Sequence, residues 1–166
     1  LQEKIIERQE KVVELQPDVD AHIELAQSYH TDGQLSEVVA QYQEALKIVP
    51  ESAAVLSRLA VALTDVGRHN EALVHWRHAV ELAPNDSRTR VNFAMALGYS
   101  NQVSEAETQL KRATELDPNY EDAFFKLGRA QSYLGRFDDA LKSYRAAMLL
   151  NPNDSRLIHA VSRLLA

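Results

Sequence analysis

Glu71, His75 and His78 stand at i, i+4 and i+7. On a helix that spacing brings a carboxylate and two imidazoles to one face, the donor types that zinc takes most often. No fourth ligand and no outer shell of supporting groups accompany them, so a solvated histidine pair is expected and no metal is assigned. His22, His30, His69 and His159 are scattered singly. Asp138 and Asp139 are adjacent carboxylates, but their place at the start of a helical pattern accounts for them, because acids there favourably meet the helix dipole. The chain has 0 cysteines, which removes thiolate ligands, disulfides and a cysteine nucleophile. No glycine-rich phosphate loop, nucleophile elbow or HExxH motif is present. The expectation is a non-catalytic protein with no cofactor.

The elements that position the remaining polar residues follow from a repeat. The only five prolines are Pro17, Pro50, Pro84, Pro118 and Pro152, spaced 33, 34, 34 and 34 apart. A step of 34 aligns Leu25, Leu59, Phe93 and Leu127, and the next position is always small: Ala26, Ala60, Ala94 and Gly128. Tyr29, Leu63, Leu97 and Gln131 form a further column, and Val38, Ala72, Ala106 and Ala140 another. Tyr42, Trp76, Leu110 and Tyr144 are bulky, whereas Ala45, Ala79, Ala113 and Ala147 are all alanine. Within each unit the apolar positions recur at three and four residues, so each unit holds two amphipathic helices. The small columns mark where helix backbones approach closely and a large neighbour fits. One such unit cannot bury its own apolar stripe, and stacking completes the core.

The breaks agree with this reading. Gly33, Gly67 and Gly135 fall between the paired helices, with Asn101 in the third unit, where a left-handed residue ends the first helix. Ser36, Asn70, Ser104 and Asp138 are expected to cap the second helix, with Ser104 and Glu107 at capping-box spacing. Each proline then stops the second helix, and Asp86 or Ser87 and Asp154 or Ser155 can start the next.

These columns closely resemble the tetratricopeptide-repeat (TPR) family, whose 34-residue pattern runs aromatic, Leu-Gly, Tyr, Ala, aromatic, Pro. Residues 121–154 match best, through Phe124, Leu127, Gly128, Gly135, Ala140, Tyr144, Ala147 and Pro152. His22 and Arg90 stand where the first aromatic belongs. The resemblance implies an all-α fold, a right-handed α-solenoid of stacked antiparallel helix pairs. Full repeats are expected at 19–52, 53–86, 87–120 and 121–154. Residues 1–18 read as the second helix of a truncated repeat, with Ile5, Val12 and Leu15 in the columns of Val38, Ala45 and Ile48. Residues 155–166 read as a closing helix, with Leu157, Ile158, Val161, Leu164 and Leu165 apolar. A preceding first helix is missing, as expected of a fragment of a longer protein.

The resemblance also implies that the first helices line a concave groove. By their offsets the groove carries Asp20, Glu24, Gln27 and His30, then Ser57, Arg58, Val61 and Asp65. The third repeat adds Arg88, Val91, Asn92, Met95 and Tyr99, the fourth Phe125, Lys126, Arg129 and Tyr133, and the closing helix Arg156 and Arg163. It begins acidic and becomes basic with aromatics interleaved. Arg58, Arg88, Lys126 and Arg129 offer charge-assisted donors to carboxylates. Asn92 can bond a peptide backbone, and Tyr99, Phe125 and Tyr133 offer rigid apolar area. The Lys–Asn–Asn–Lys–Arg carboxylate clamp of co-chaperone TPR domains is matched only by Asn92 and Lys126. Ser57, Val61 and Asp122 depart from it, and Ile23, Gln27 and Arg58 one repeat earlier fit no better. An asparagine ladder fails as well, since Glu24, Arg58, Asn92 and Lys126 fill that column.

Composition sets the outer bounds. The chain has 166 residues, 45% hydrophobic and 25% charged, the balance of a globular domain. Residues 1–83 carry 7 Lys/Arg against 14 Asp/Glu, and residues 84–166 carry 11 against 10. No basic face is present to hold nucleic acid, and no apolar run reaches the roughly 20 residues that cross a membrane. The expected function is a protein–protein interaction scaffold that binds an acidic peptide or protein segment in the groove. The alternatives are a self-association module working through the exposed end helices, or a partner-recruiting segment of a larger enzyme.

Overall fold

The computed structural model describes residues 1–165, which form ten α-helices and no strand. They are α1 (Gln2–Leu15), α2 (Val19–Thr31), α3 (Leu35–Ile48), α4 (Ala53–Asp65), α5 (His69–Leu82), α6 (Ser87–Tyr99), α7 (Val103–Leu116), α8 (Glu121–Tyr133), α9 (Phe137–Leu150) and α10 (Ser155–Leu165). The chain divides into two compact units, Leu1–Pro84 with α1–α5 and a second from Asn85 onward with α6–α10. Within each unit every helix packs on the next in sequence, most extensively across the tight turns α2–α3, α4–α5, α6–α7 and α8–α9.

Those turns share one backbone device. Gly33, Gly67 and Gly135 have φ of 78°, 79° and 75°, and Asn101 takes the same region at 59°. In each turn the following N–H bonds back into the first helix, as in Gln34 N–H to Tyr29 O and Arg136 N–H to Gln131 O. This Schellman closure satisfies the last carbonyls of the first helix. It also overturns one expectation. The second helices are capped by Gln34, Arg68, Gln102 and Arg136, none of which makes a side-chain cap bond. Ser36, Asn70, Ser104 and Asp138 lie inside the first turn instead. The closure leaves a single residue between left-handed turn and helix, so a residue two places on arrives too late to cap. Ser104 and Glu107 therefore form no capping box, and Glu107 is buried. Most first helices do use side-chain caps: Asp18, Ser52 and Asp86 accept from backbone N–H groups of α2, α4 and α6, and Asp154 does so for α10, whereas α8 follows Tyr120 and has none.

The close-approach columns are sealed. Ala26, Ala60, Ala45 and Ala79 in the first unit and Ala113 and Ala147 in the second are fully buried. At Gly128 a methyl group would stand 2.6 Å from Tyr144 Cε1, so only glycine lets this helix pair close over that ring. The two polar departures from the aromatic position are bridged: His22 Nδ1 lies 2.8 Å from Gln41 Oε1, and Arg90 Nη1 donates to Gln109 Oε1 at 2.6 Å. In both repeats a polar bond between the paired helices stands in for the ring contact.

At the ends, α1 buries Ile6 against its unit and leaves Ile5, Val12 and Leu15 exposed. Helix α10 buries Leu157 with Phe125, Tyr144 and Ala147 and half-buries Val161 and Leu164, while Ile158 and Leu165 stay exposed. No helix of the described residues is long and apolar enough to cross a membrane.

Candidate functional site

The second unit carries a cavity of about 980 Å³ lined from all five of its helices, α6 to α10. Helical spacing places Met95 and Tyr99 on one face of α6, and Lys126, Arg129 and Tyr133 on the corresponding face of α8. Arg156 and Arg163 complete it from α10, and Tyr144 of α9 closes its inner side. Tyr99, Phe125, Lys126, Arg129 and Tyr133 thus come together. Arg58 lies in the first unit, on a smaller cavity of about 420 Å³ shared with Gln27, His30, Tyr42 and Asp65. Arg88 and Asn92 occupy the first turns of α6, outside the lining of the larger cavity. Val91, expected in the groove, is buried in the core, although it shares its helix face with the exposed Met95 and Gly98 four and seven residues on; packing from neighbouring elements, not helical phase, decides its burial.

The basic residues are not equivalent. Lys126 Nζ is held by Asp122 at 2.8 Å, one turn earlier on α8. Arg156 is held by Asp154 at 2.6 Å, with Glu121 at 3.6 Å and Asp122 at 3.8 Å. Its guanidinium lies 4.7 Å from the centre of the Phe125 ring. Phe125 is consequently only 8% exposed; α10 covers the area that the sequence reading assigned to a ligand. Arg129 and Arg163 are both exposed and make no ion pair among the described residues. Both act on the Tyr144 phenol: burial pushes it above the usual tyrosine value, while Arg129 and then Arg163 pull it back.

The outer rim is aromatic. Tyr99, Tyr133 and Phe137 are exposed by 64%, 70% and 57%. The Tyr133 hydroxyl donates to Asn101 Oδ1 at 3.1 Å, which ties the end of α8 to the left-handed residue of the α6–α7 turn. Asn101 therefore has two tasks, closing one helix and orienting a rim side chain. Tyr144 is core, as its column predicts, at 3% exposed, and it also lines the cavity. Sequence reading missed Phe137, which falls in none of the aligned columns. It also missed the neutralisation of Lys126, although Asp122 at i−4 was a legible signal.

On α5, Glu71 is engaged by Arg68 through Nε at 2.7 Å, and His78 faces Glu51 at 3.6 Å. Among the described residues no group of three or more His, Cys, Asp or Glu is placed to hold a metal ion.

Comparison with known proteins sets this arrangement in a family. Two sequence models described as tetratricopeptide repeat match residues 51–119 and 99–164. No curated protein sequence matches the chain. Among solved structures, YrrB, described as a TPR protein with an unusual peptide-binding site, aligns with a TM-score of 0.84 and 26% identity over 97% of this chain and 84% of its own. MamA aligns at 0.82 and 22% identity, covering 88% and 80% of the two chains. The first TPR of Spaghetti (RPAP3), bound to an HSP90 peptide, aligns at 0.65 and 22%, covering 68% and 90%. With the 34-residue columns, the paired helices and two family matches that together span residues 51–164, the chain belongs to the tetratricopeptide-repeat family.

Proposed function

We propose that this chain is a non-catalytic protein–protein interaction scaffold that takes a peptide or protein segment on the exposed faces of its first helices. The observation that carries this reading is the cavity of about 980 Å³ in the second unit, where exposed tyrosines flank Arg129 and Arg163, which meet no acid among the described residues. Exposed aromatic and arginine side chains are the residues on which interfaces concentrate their binding energy, and unpaired guanidiniums favour an acidic partner. YrrB has a peptide-binding site and the Spaghetti domain holds a peptide, which supports the reading by likeness of fold. Arg88 and Asn92, on α6 of the same unit, would extend the contact surface beyond the main cavity, and Arg58 would offer a separate contact on the first unit.

A pull-down from native extract tests it, comparing the chain with a variant reversing Arg58, Arg88, Lys126 and Arg129 to Glu. Capture of a partner by the parent and its loss from the variant is the expected result. The same proteins coming down with both would move attention to the ends and the opposite face.

A second reading, self-association, rests on a different observation. Ile5, Val12 and Leu15 on α1, and Ile158 and Leu165 on α10, are exposed apolar residues at the two ends of the described chain.

A further inference from the structure

The groove of the second unit has two chemically distinct parts, and their separation specifies more than an acidic ligand. One part is cationic. Arg129 and Arg163 hold corresponding positions one 34-residue step apart, so they stand at the same height on α8 and α10. Both are exposed, and neither meets an acid among the described residues, while their neighbours Lys126 and Arg156 are already taken by Asp122 and Asp154. Tyr144, on the intervening α9, also lines this cavity. Two exposed guanidiniums form a donor set for one carboxylate.

The other part is aromatic. Tyr133 follows Arg129 by one turn of α8, and Phe137 begins α9 directly across the turn. Both line the cavity and are more than half exposed, with Tyr133 oriented by its bond to Asn101. Aromatic side chains placed so favour a ring laid offset or edge-on against them.

The distance between the two parts follows from helix geometry. Four residues of α8 rise about 6 Å. An extended peptide advances about 3.3 Å per residue and turns alternate side chains to the same side. Residues i and i+2 of an extended ligand are therefore about 7 Å apart on one face, matching one turn of α8.

We infer that this groove selects an extended segment carrying Asp or Glu followed two residues later by an aromatic, the carboxylate seated between Arg129 and Arg163 and the ring against Tyr133 and Phe137. This rests on the groove reading above and adds the chemistry and spacing of the ligand. Either half alone binds weakly, since an exposed ion pair contributes little and a single ring leaves the guanidiniums unpaired.

Fluorescence anisotropy with dye-labelled eight-residue peptides on a Gly-Ser background tests it. The probes carry Glu-Ser-Phe, Gln-Ser-Phe, Glu-Ser-Ala, or Glu and Phe four residues apart. The Glu-Ser-Phe probe is expected to bind at least tenfold more tightly than each of the others. R129Q/R163Q should reduce it to the level of the Gln probe and no longer distinguish Glu from Gln. Y133A should likewise abolish the preference for Phe over Ala. All three side chains are exposed, so folding of the variants is confirmed by unchanged helical circular dichroism. Equal binding of the four probes, no measurable binding of any, or preferences that survive these substitutions overturns the inference. If the charge-reversed variant still loses its captured partner in that case, the groove reading stands and only the acidic–aromatic specificity falls.

Discussion

At the residue scale, Glu107 shows how a buried carboxylate can be both costly and stabilising. Only 3% of it is exposed. Burial pushes its carboxyl up, but Lys111 at 2.8 Å and Arg136 across the α8–α9 turn outweigh it and leave the group below its usual value. A depressed folded value means the stabilisation is present above the unfolded carboxylate range, near pH 4, and is lost as pH falls below it. Glu107→Gln is therefore expected to lower stability at pH 7 by about 1 kcal/mol, since both cations are half exposed and relax into water. Near pH 3 the difference should shrink toward zero. Urea midpoints of the two proteins at both pH values measure this, and a pH-independent difference would show that shape, not charge, is what Glu107 supplies.

At the element scale, two glycines inside first helices make opposite predictions. Gly128 sits under the Tyr144 ring, where a methyl group would meet Cε1 at 2.6 Å and Cδ1 at 2.7 Å. Gly98, the corresponding kind of residue late in α6, has nothing within 4 Å. Alanine gains about 1 kcal/mol over glycine in a helix, whereas overpacking a close contact costs about 1–3 kcal/mol. Gly98→Ala should therefore raise the thermal midpoint, and Gly128→Ala should lower it by an amount corresponding to about 1 kcal/mol. Because Tyr144 lines the cavity, Gly128→Ala should also weaken the Glu-Ser-Phe probe. A thermal midpoint that rises for both variants would show that the α8–α9 pair closes with slack to spare. The turns at this scale are backbone devices, which is why second helices dispense with side-chain caps while α2, α4, α6 and α10 use Asp or Ser.

At the scale of the whole molecule, the two ends differ in character from the repeats between them. The exposed apolar residues of α1 and α10 lie along one side of each helix, and the columns of Ile5 and Val12 are ones that full repeats bury, at Val38 and Ala45. The self-association reading takes α1 of one copy onto α10 of the next, an unlike pairing of two different surfaces. It predicts a mass that rises with concentration in sedimentation equilibrium and falls to that of a single chain in Ile5→Lys or Ile158→Lys. Mixing those two variants should restore a dimer and nothing larger, since each retains one competent end. A single-chain mass at millimolar concentration would remove the proposal and leave the groove as the binding surface.

The sequence by itself determined the helix pairs, the turns that separate them and the family, because these rest on local causes. A left-handed residue every 34 positions, a proline after each second helix and a small residue at each close approach act over a few residues and repeat visibly. Aligned columns also made the faces of the first helices legible, so Tyr99, Lys126, Arg129 and Tyr133 were found on one surface. What the columns could not reveal was which of those side chains remained available. Lys126 and Arg129 look alike in sequence, yet one is held by Asp122 and the other meets no acid among the described residues. Phe125 reads as a contact residue until α10 lays Arg156 over its ring. Tyr144 reads as core and is core, but that its ring packs directly on Gly128 and borders the cavity is set by the packed helices alone. These outcomes depend on distances between side chains far apart in the chain, and only the packed tertiary structure sets those distances.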